Sequence, residues 1–421
     1  MYAAYTSVLA IGLVAALPYY LWRGRRDGRY RRTFRERCGH LPSDVRSERP
    51  SIWIHAVSVG EVLAAATLAP PLRARFPDHP LFLSTTTVTG HAVARERAGG
   101  FDGLFYAPFD FPRPVGRVLA AIRPALLVLV DTELWPNTIR ETRRAGGRVA
   151  LVNGRISERS FPRYRLVRRL LRRVLSHVDL FLMQSDLYAR RLVEMGAPPD
   201  RVHVSGSLKF DAARAVPAPA ELRERLSGPG PLLVAGSTVP GEERAVLDAH
   251  AVVRRAHPAC RLLIAPRHPE RAPEIEGLVR SAGLDCLRRS RMQPGDWRGP
   301  EQVTLLDTLG ELAGVYALAS VVFVGGSLEP RGGHNVLEAA AVGKPILVGP
   351  HMQNFHDIAE LFRAEGAMLE VSGGAELGAA VAGLLDDPER ARVLGERARR
   401  LVEGNRGVVA RSVDALAGLL S

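Results

Sequence analysis

The feature that most limits how this chain can fold is a series of short apolar runs without in–out alternation, each followed by a helix-length segment. Ser51–Val57, Leu81–Ser84, Leu126–Val130, Arg148–Val152, Leu180–Gln184 and Val202–Ser205 are such runs, with segments such as Val62–Arg75 and Asp186–Met195 between them. A strand that is apolar on both faces needs a sheet covered on both sides, which a parallel sheet with crossover helices provides. The pattern resumes at Leu232–Ala235, Arg261–Ala265, Val303–Leu306, Val321–Val324 and Pro345–Val348. Between the two series lies Arg214–Pro231, rich in Pro and Ala, which reads as a linker. At 421 residues the chain exceeds what one core ordinarily holds. Two doubly wound α/β domains are expected, over residues 51–213 and 232–421, with 214–231 joining them. In such sheets ligands sit beyond the carboxyl ends of the strands, so residues directly after each run are the candidates for chemistry.

The N-terminus imposes a second constraint. Residues 1–22, Met1 to Trp22, contain no charged side chain, and that length matches a bilayer span. Arg23, Arg25, Arg26, Arg29, Arg31, Arg32, Arg35 and Arg37 follow. A secretory signal has the opposite order, with basic residues first. The positive-inside rule places everything from Arg23 onward in the cytoplasm. Residues 1–22 are therefore expected to anchor the chain in a bacterial inner membrane, with 23–50 as a basic membrane-proximal segment. Pro18 and the tyrosines leave open a helix that lies in the interface, and a hydrophobic helix packed on the protein's own core is the bland alternative.

The net charge of +13 rests on 55 arginines and two lysines, Lys209 and Lys344. Arginine excess fits either nucleic acid or anionic lipid. The apolar run ahead of the first cluster favours anionic inner-membrane lipid, and no nucleic-acid partner is expected. Where arginine has replaced nearly every lysine, a remaining lysine points to a place where an ammonium fits and a guanidinium does not. Cys38, Cys260 and Cys286 are scattered, which suits a reducing compartment.

The strand-end residues then separate into motifs. His55-Ala56-Val57-Ser58-Val59-Gly60-Glu61 passes from the first strand into a helix. Glu61 falls on the first helical turn, where it is either a base for a substrate hydroxyl or a plain helix-start residue. Thr132-Glu133-Leu134-Trp135-Pro136-Asn137 follows Leu126–Val130 and suits a sugar-binding rim; the alternative is a cap and a core tryptophan. Gly206-Ser207-Leu208-Lys209-Phe210-Asp211 carries a cation for an anionic substrate or a departing phosphate, unless Lys209 simply pairs with Asp211. The second half supplies Gly236-Ser237-Thr238, Pro266-Arg267-His268-Pro269-Glu270-Arg271, Leu309-Gly310-Glu311-Leu312, Val324-Gly325-Gly326-Ser327 and Arg331 to Glu338. Glycines feeding a helix start suit a phosphate, and Glu338 is placed to accept from ribose hydroxyls. There is no G-x-x-x-x-G-K-[ST] loop and no G-x-G-x-x-G after a strand, so ATPase and NAD readings lose their support. A D-x-D triplet is also absent, which leads to the expectation of a metal-independent reaction without a cofactor.

Taken together, these motifs closely resemble the bacterial 3-deoxy-D-manno-octulosonic acid (Kdo) transferases, along nearly the whole chain. The matching runs are Ala56 to Glu61, Thr132 to Asn137, Val152-Asn153 with Ser157-Glu158-Arg159-Ser160, Leu208 to Asp211, Pro266 to Arg271 and Gly332 to Glu338. Val336 stands where the family usually has proline, and Gly154 where it has alanine. The resemblance implies the GT-B architecture: two Rossmann-like domains facing a cleft, with the last helix crossing back to the first domain. It also implies CMP-Kdo as donor, lipid IVA as acceptor, and inversion at the anomeric carbon. Carried over by motif, Glu61 is the base, and Glu133 and Lys209 stabilise the transition state. Pro266, Arg267, Leu309, Gly310, Glu311, Asn335, Val336, Leu337 and Glu338 hold CMP. An α/β nucleic-acid-binding protein and a sugar-nucleotide epimerase are the rival readings. Neither uses an apolar N-terminus.

Overall fold

The computed structural model describes residues 2–26, 28–97, 99–158, 160–226, 228–293 and 299–420. Met1, Arg159 and the side chains of Arg23 to Arg32, read above as part of the basic flank, lie outside the described residues. The chain divides into two compact units, residues 1–212 with 407–421 and residues 213–406.

The first unit is built on seven strands: β1 (Ser51–Ala56), β2 (Leu81–Thr85), β3 (Gly103–Tyr106), β4 (Pro124–Val130), β5 (Arg148–Gly154), β6 (Leu180–Met183) and β7 (Val202–Val204). All pair in parallel, in the order β3-β2-β1-β4-β5-β6-β7. The chain reverses its winding between β1 and β4, so a crevice opens there at the strands' carboxyl ends. Ile52, Ile54, Leu126 and Val128 are buried on one face, and Trp53, Leu127 and Leu129 on the other. Burial on both faces explains the missing alternation in these segments.

Two helices complete this unit. The N-terminal helix, Tyr2–Arg26, docks its first turns on the unit. Tyr2 packs against the core, Tyr5 Oη donates to Asp110 Oδ2 at 2.9 Å, and Thr6 Oγ1 accepts from Asn137 Nδ2 at 3.0 Å. Its other face leaves Val8, Ile11 and Val14 about 70% exposed (68%, 70% and 69%). Among the described residues no helix is long and apolar enough to cross a membrane. The C-terminal helix, Val408–Leu420, belongs to the first unit although it comes last in sequence. Asp211 fastens its start, accepting from Gly407 N at 2.7 Å and Val409 N at 2.5 Å. Val408, Val413 and Leu416 enter the same core as Leu68 and Leu72, and each buried leucine stabilises by roughly 1.5–3 kcal/mol.

The second unit repeats the design with β8 (Leu232–Thr238), β9 (Arg261–Pro266), β10 (Asp285–Arg288), β11 (Gln302–Leu305), β12 (Val321–Val324), β13 (Ile346–Val348) and β14 (Leu369–Glu370). Their order is β10-β11-β9-β8-β12-β13-β14, again all parallel, with the winding reversal between β8 and β12. The stretch 214–231 is more than a linker. It contains the helix Ala220–Leu226, and Leu222 and Leu226 are buried within this unit.

Candidate active site

In the first unit the candidate residues gather at the winding reversal. Ser58 precedes the helix Val59–Arg75 without capping it through its side chain, and Glu61 occupies the first turn. Glu61 Oε2 accepts from Val57 N and Oε1 from Ser58 Oγ, both at 2.7 Å, and the side chain is buried. Asp131 and Glu133 follow β4 directly. Burial, then the Glu61 carboxylate, push Glu133 up to about 7, against a lowering 3.1 Å hydrogen bond from Trp135 Nε1; Asp131 adds a further upward push. Burial also pushes Asp131 up to about 6; Arg155 and Lys209 oppose this and Glu61 adds to it. Glu133 thus holds its proton up to the neutral range and Asp131 to just below it, which suits proton transfer near pH 7.

Asp131 and Asn153 both adopt left-handed backbone conformations, with φ of 62° and 58°. Such conformations in residues other than glycine cluster at functional sites. Asn153 Nδ2 and Gln184 Nε2 donate to Asp131 Oδ1 at 3.4 and 3.3 Å, and Arg155 Nε lies 3.4 Å from Asp131 Oδ2. Asn153 Oδ1 accepts from Leu208 N at 3.1 Å, which fixes the loop that carries Lys209. Asp211, the expected partner of Lys209 in the bland reading, has its two oxygens on Gly407 N and Val409 N.

In the second unit the cluster again sits at the winding reversal. Ser237 (φ 57°) is the penultimate residue of β8, and Gly325-Gly326-Ser327 leaves β12. Glu242, almost wholly buried, holds this turn by accepting from Val239 N, Gly326 N, Ser327 N and Leu328 N at 2.7–3.0 Å. His334 lies against Gly326, where a Cβ would meet its Cδ2 at 2.6 Å. Burial, with Arg267 and His268 nearby, lowers His334 to about 4, so its ring is neutral at physiological pH. Asn335 Nδ2 donates to Glu338 Oε1 at 3.1 Å, and burial raises the Glu338 carboxyl above its ordinary value against that bond. Val336, Leu337 and Pro266 are buried, so a ligand there meets their backbone. Glu311 accepts from Arg289 Nη2 at 3.1 Å and from Thr308 Oγ1, while Leu309 is exposed and Gly310 borders open space. Arg271 is committed to scaffolding, bonded to the buried Glu243 at 2.7 Å.

A family model for 3-deoxy-D-manno-octulosonic-acid transferase matches residues 32–212. The 3-deoxy-D-manno-octulosonic acid transferase of Haemophilus influenzae is 31% identical over 420 residues, spanning 98% of this chain and 97% of that protein. The namesake from Bordetella pertussis is 35% identical over 423 residues, 96% of each. The chain belongs to the Kdo transferase family. A solved UDP-GlcNAc 2-epimerase from Neisseria meningitidis covers 88% of this chain and 99% of its own, with a TM-score of 0.59 at 13% identity. At that identity the likeness speaks of fold alone.

For a Kdo transferase, the strand-end rule locates Glu61, Glu133 and Lys209 around one crevice of the first unit. It misses Asp131, which directly follows the run Leu126–Val130, and Gln184, which reads as the end of its run although the strand stops at Met183. Glu242 had no such signal. It reads as a surface residue at a helix start, and only the fold brings four N–H groups to it.

Proposed function

We propose that this chain transfers Kdo from CMP-Kdo to lipid IVA with inversion, in lipopolysaccharide biosynthesis at the cytoplasmic face of the inner membrane. The observation that carries the reading is the gathering of Glu61, Asp131 and Glu133 at the β1/β4 reversal of a Kdo transferase family member. Glu61 takes the proton from the acceptor's primary hydroxyl as that oxygen attacks the anomeric carbon. The bond from this carbon to the CMP phosphate breaks, and CMP leaves with the electron pair. Lys209 offsets the negative charge of the donor sugar's carboxylate. Glu133, whose ionisation is poised near neutrality, stabilises the cationic character that develops at the anomeric carbon. Asp131 positions the Lys209 loop through Asn153.

The donor's CMP is held in the second unit by the backbone of Pro266 and of Asn335 to Leu337, the Arg267 guanidinium, the Glu338 carboxylate and the Leu309-Gly310-Glu311 turn. A single phosphate leaving group needs no divalent clamp, so transfer is expected to continue in the presence of a chelator. The N-terminal helix associates with the inner leaflet through Val8, Ile11 and Val14, aided by the arginine-rich segment that follows.

Glu61→Gln tests the base. Gln keeps the side chain's shape, which matters because Glu61 also holds Val57 N and Ser58 Oγ. The variant should lose on the order of 10²-fold or more in kcat while binding CMP as the unmodified protein does. Turnover within a few-fold of normal would remove Glu61 from the role.

A further inference from the structure

Between the N-terminal helix and the first unit runs an apolar cavity of about 460 Å³. Val8, Leu9, Gly12, Leu13 and Ala16 form its helix wall, and Trp53 and Trp135 stand among the residues opposite. Volumes of this size hold a small organic ligand. The helix therefore has two apolar faces, one on the cavity and one, at Ile11 and Val14, exposed, with the partly exposed Val8 at the cavity's rim. A helix that is apolar all round belongs in a core or in lipid.

Two features indicate what fills the cavity. Its wall is continuous with the proposed catalytic centre, because Trp135 lines it and donates its indole N–H to Glu133 at 3.1 Å. The wall also includes two polar atoms without a hydrogen-bond partner, His55 Nε2 and Thr86 Oγ1. His55 is 3% exposed, its Nδ1 is 2.8 Å from Ser84 Oγ, and its Nε2 has no hydrogen-bond partner. A buried ring nitrogen without a partner is costly and calls for a ligand atom. An occupant that is apolar along its length and carries one carbonyl where it joins a sugar satisfies both features.

We propose that this cavity is an acyl-chain site for the acceptor: one fatty-acyl chain of the lipid-linked sugar lies along Leu9, Gly12, Leu13 and Ala16, and His55 meets the carbonyl at its head. The inference rests on the proposed reading that the acceptor is an acylated sugar. The chain acts as a ruler, seating the sugar hydroxyl beside Glu61 and Glu133 while the exposed helix face stays in the leaflet.

Gly12→Phe tests this in the full chain. A Cβ at Gly12 meets nothing within 4 Å, and phenylalanine is a better helix residue than glycine, so the variant should fold. Its ring occupies the room of two or three methylenes, each worth about fourfold in binding. The KM for lipid IVA should rise on the order of tenfold or more, while the KM for the deacylated disaccharide and for CMP-Kdo stays unchanged. Equal effects on both acceptors, or none, would overturn the proposal. In a second arm, a dibrominated medium-chain fatty acid should quench tryptophan fluorescence in the unmodified protein and do so less in Gly12→Phe. Quenching that Gly12→Phe leaves intact counts against the site. Quenching by brominated phospholipid, paired with a KM indifferent to acceptor chains, would assign the cavity to bulk lipid and reject the acceptor. Should neither acceptor be used by the unmodified protein, the transfer reading fails, and the quenching arm still decides the cavity.

Discussion

At the scale of single residues, the first unit concentrates three acids in one crevice and leaves two of them reluctant to ionise. Glu133 is the more perturbed, at about 7, through burial and then the Glu61 charge. A carboxyl whose folded pKa lies above its unfolded value adds stability only at low pH; that contribution is lost as pH rises between the two values. Glu133→Gln should therefore leave thermal stability unchanged below about pH 4, where both forms are neutral. At pH 8 it should gain on the order of 2 kcal/mol. Melting curves at the two pH values check this, and an equal shift at both would show that the charge is not the cause. Lys209→Arg keeps the charge but changes its shape, and is predicted to lower kcat at least about tenfold with CMP affinity unchanged. Full turnover in that variant would show that the ammonium is not special. The sequence marked Glu61 only as a strand-end acid with two readings. In the structure it accepts from Val57 N and Ser58 Oγ and lies beside the other two acids. Asp131 carries the same strand-end signal, two residues before Glu133.

At the scale of elements, strands with both faces buried were legible because their apolar runs are continuous. The three strands absent from the sequence reading, β3, β10 and β14, all lie at sheet edges. Edge strands are short and half-solvated, and Asp285-Cys286-Leu287-Arg288 shows no apolar run to detect. The helix Ala220–Leu226 was hidden by the prolines around it, yet Leu222 and Leu226 anchor it. Glu242 makes the strongest element-level prediction. Glu242→Ala leaves four N–H groups at the β8 and β12 turns without their acceptor, and should cost about 3 kcal/mol or more in urea unfolding. CMP binding should weaken with it, because the Gly325–Ser327 turn loses its support. A stable variant with normal CMP binding would show that this turn does not depend on Glu242.

At the scale of the whole molecule, family membership and two parallel-sheet α/β units agree with what the alternating runs imply. For the N-terminal helix the sequence left spanning, interfacial seating and packing on the protein open; its first turns dock through Tyr5 and Thr6, and Val8, Ile11 and Val14 are exposed. Replacing those three by serine should lower partition onto anionic vesicles on the order of tenfold or more in a flotation assay, with folding intact. Undiminished flotation would assign membrane contact to another surface. The central claim is Kdo transfer to a lipid acceptor, and the most direct measurement is the mass of lipid IVA after incubation with the protein, CMP-Kdo and a chelator. The account predicts that lipid IVA gains the mass of Kdo as CMP appears in equal amount. Unchanged lipid IVA with intact donor, under conditions where the protein binds CMP, would contradict it.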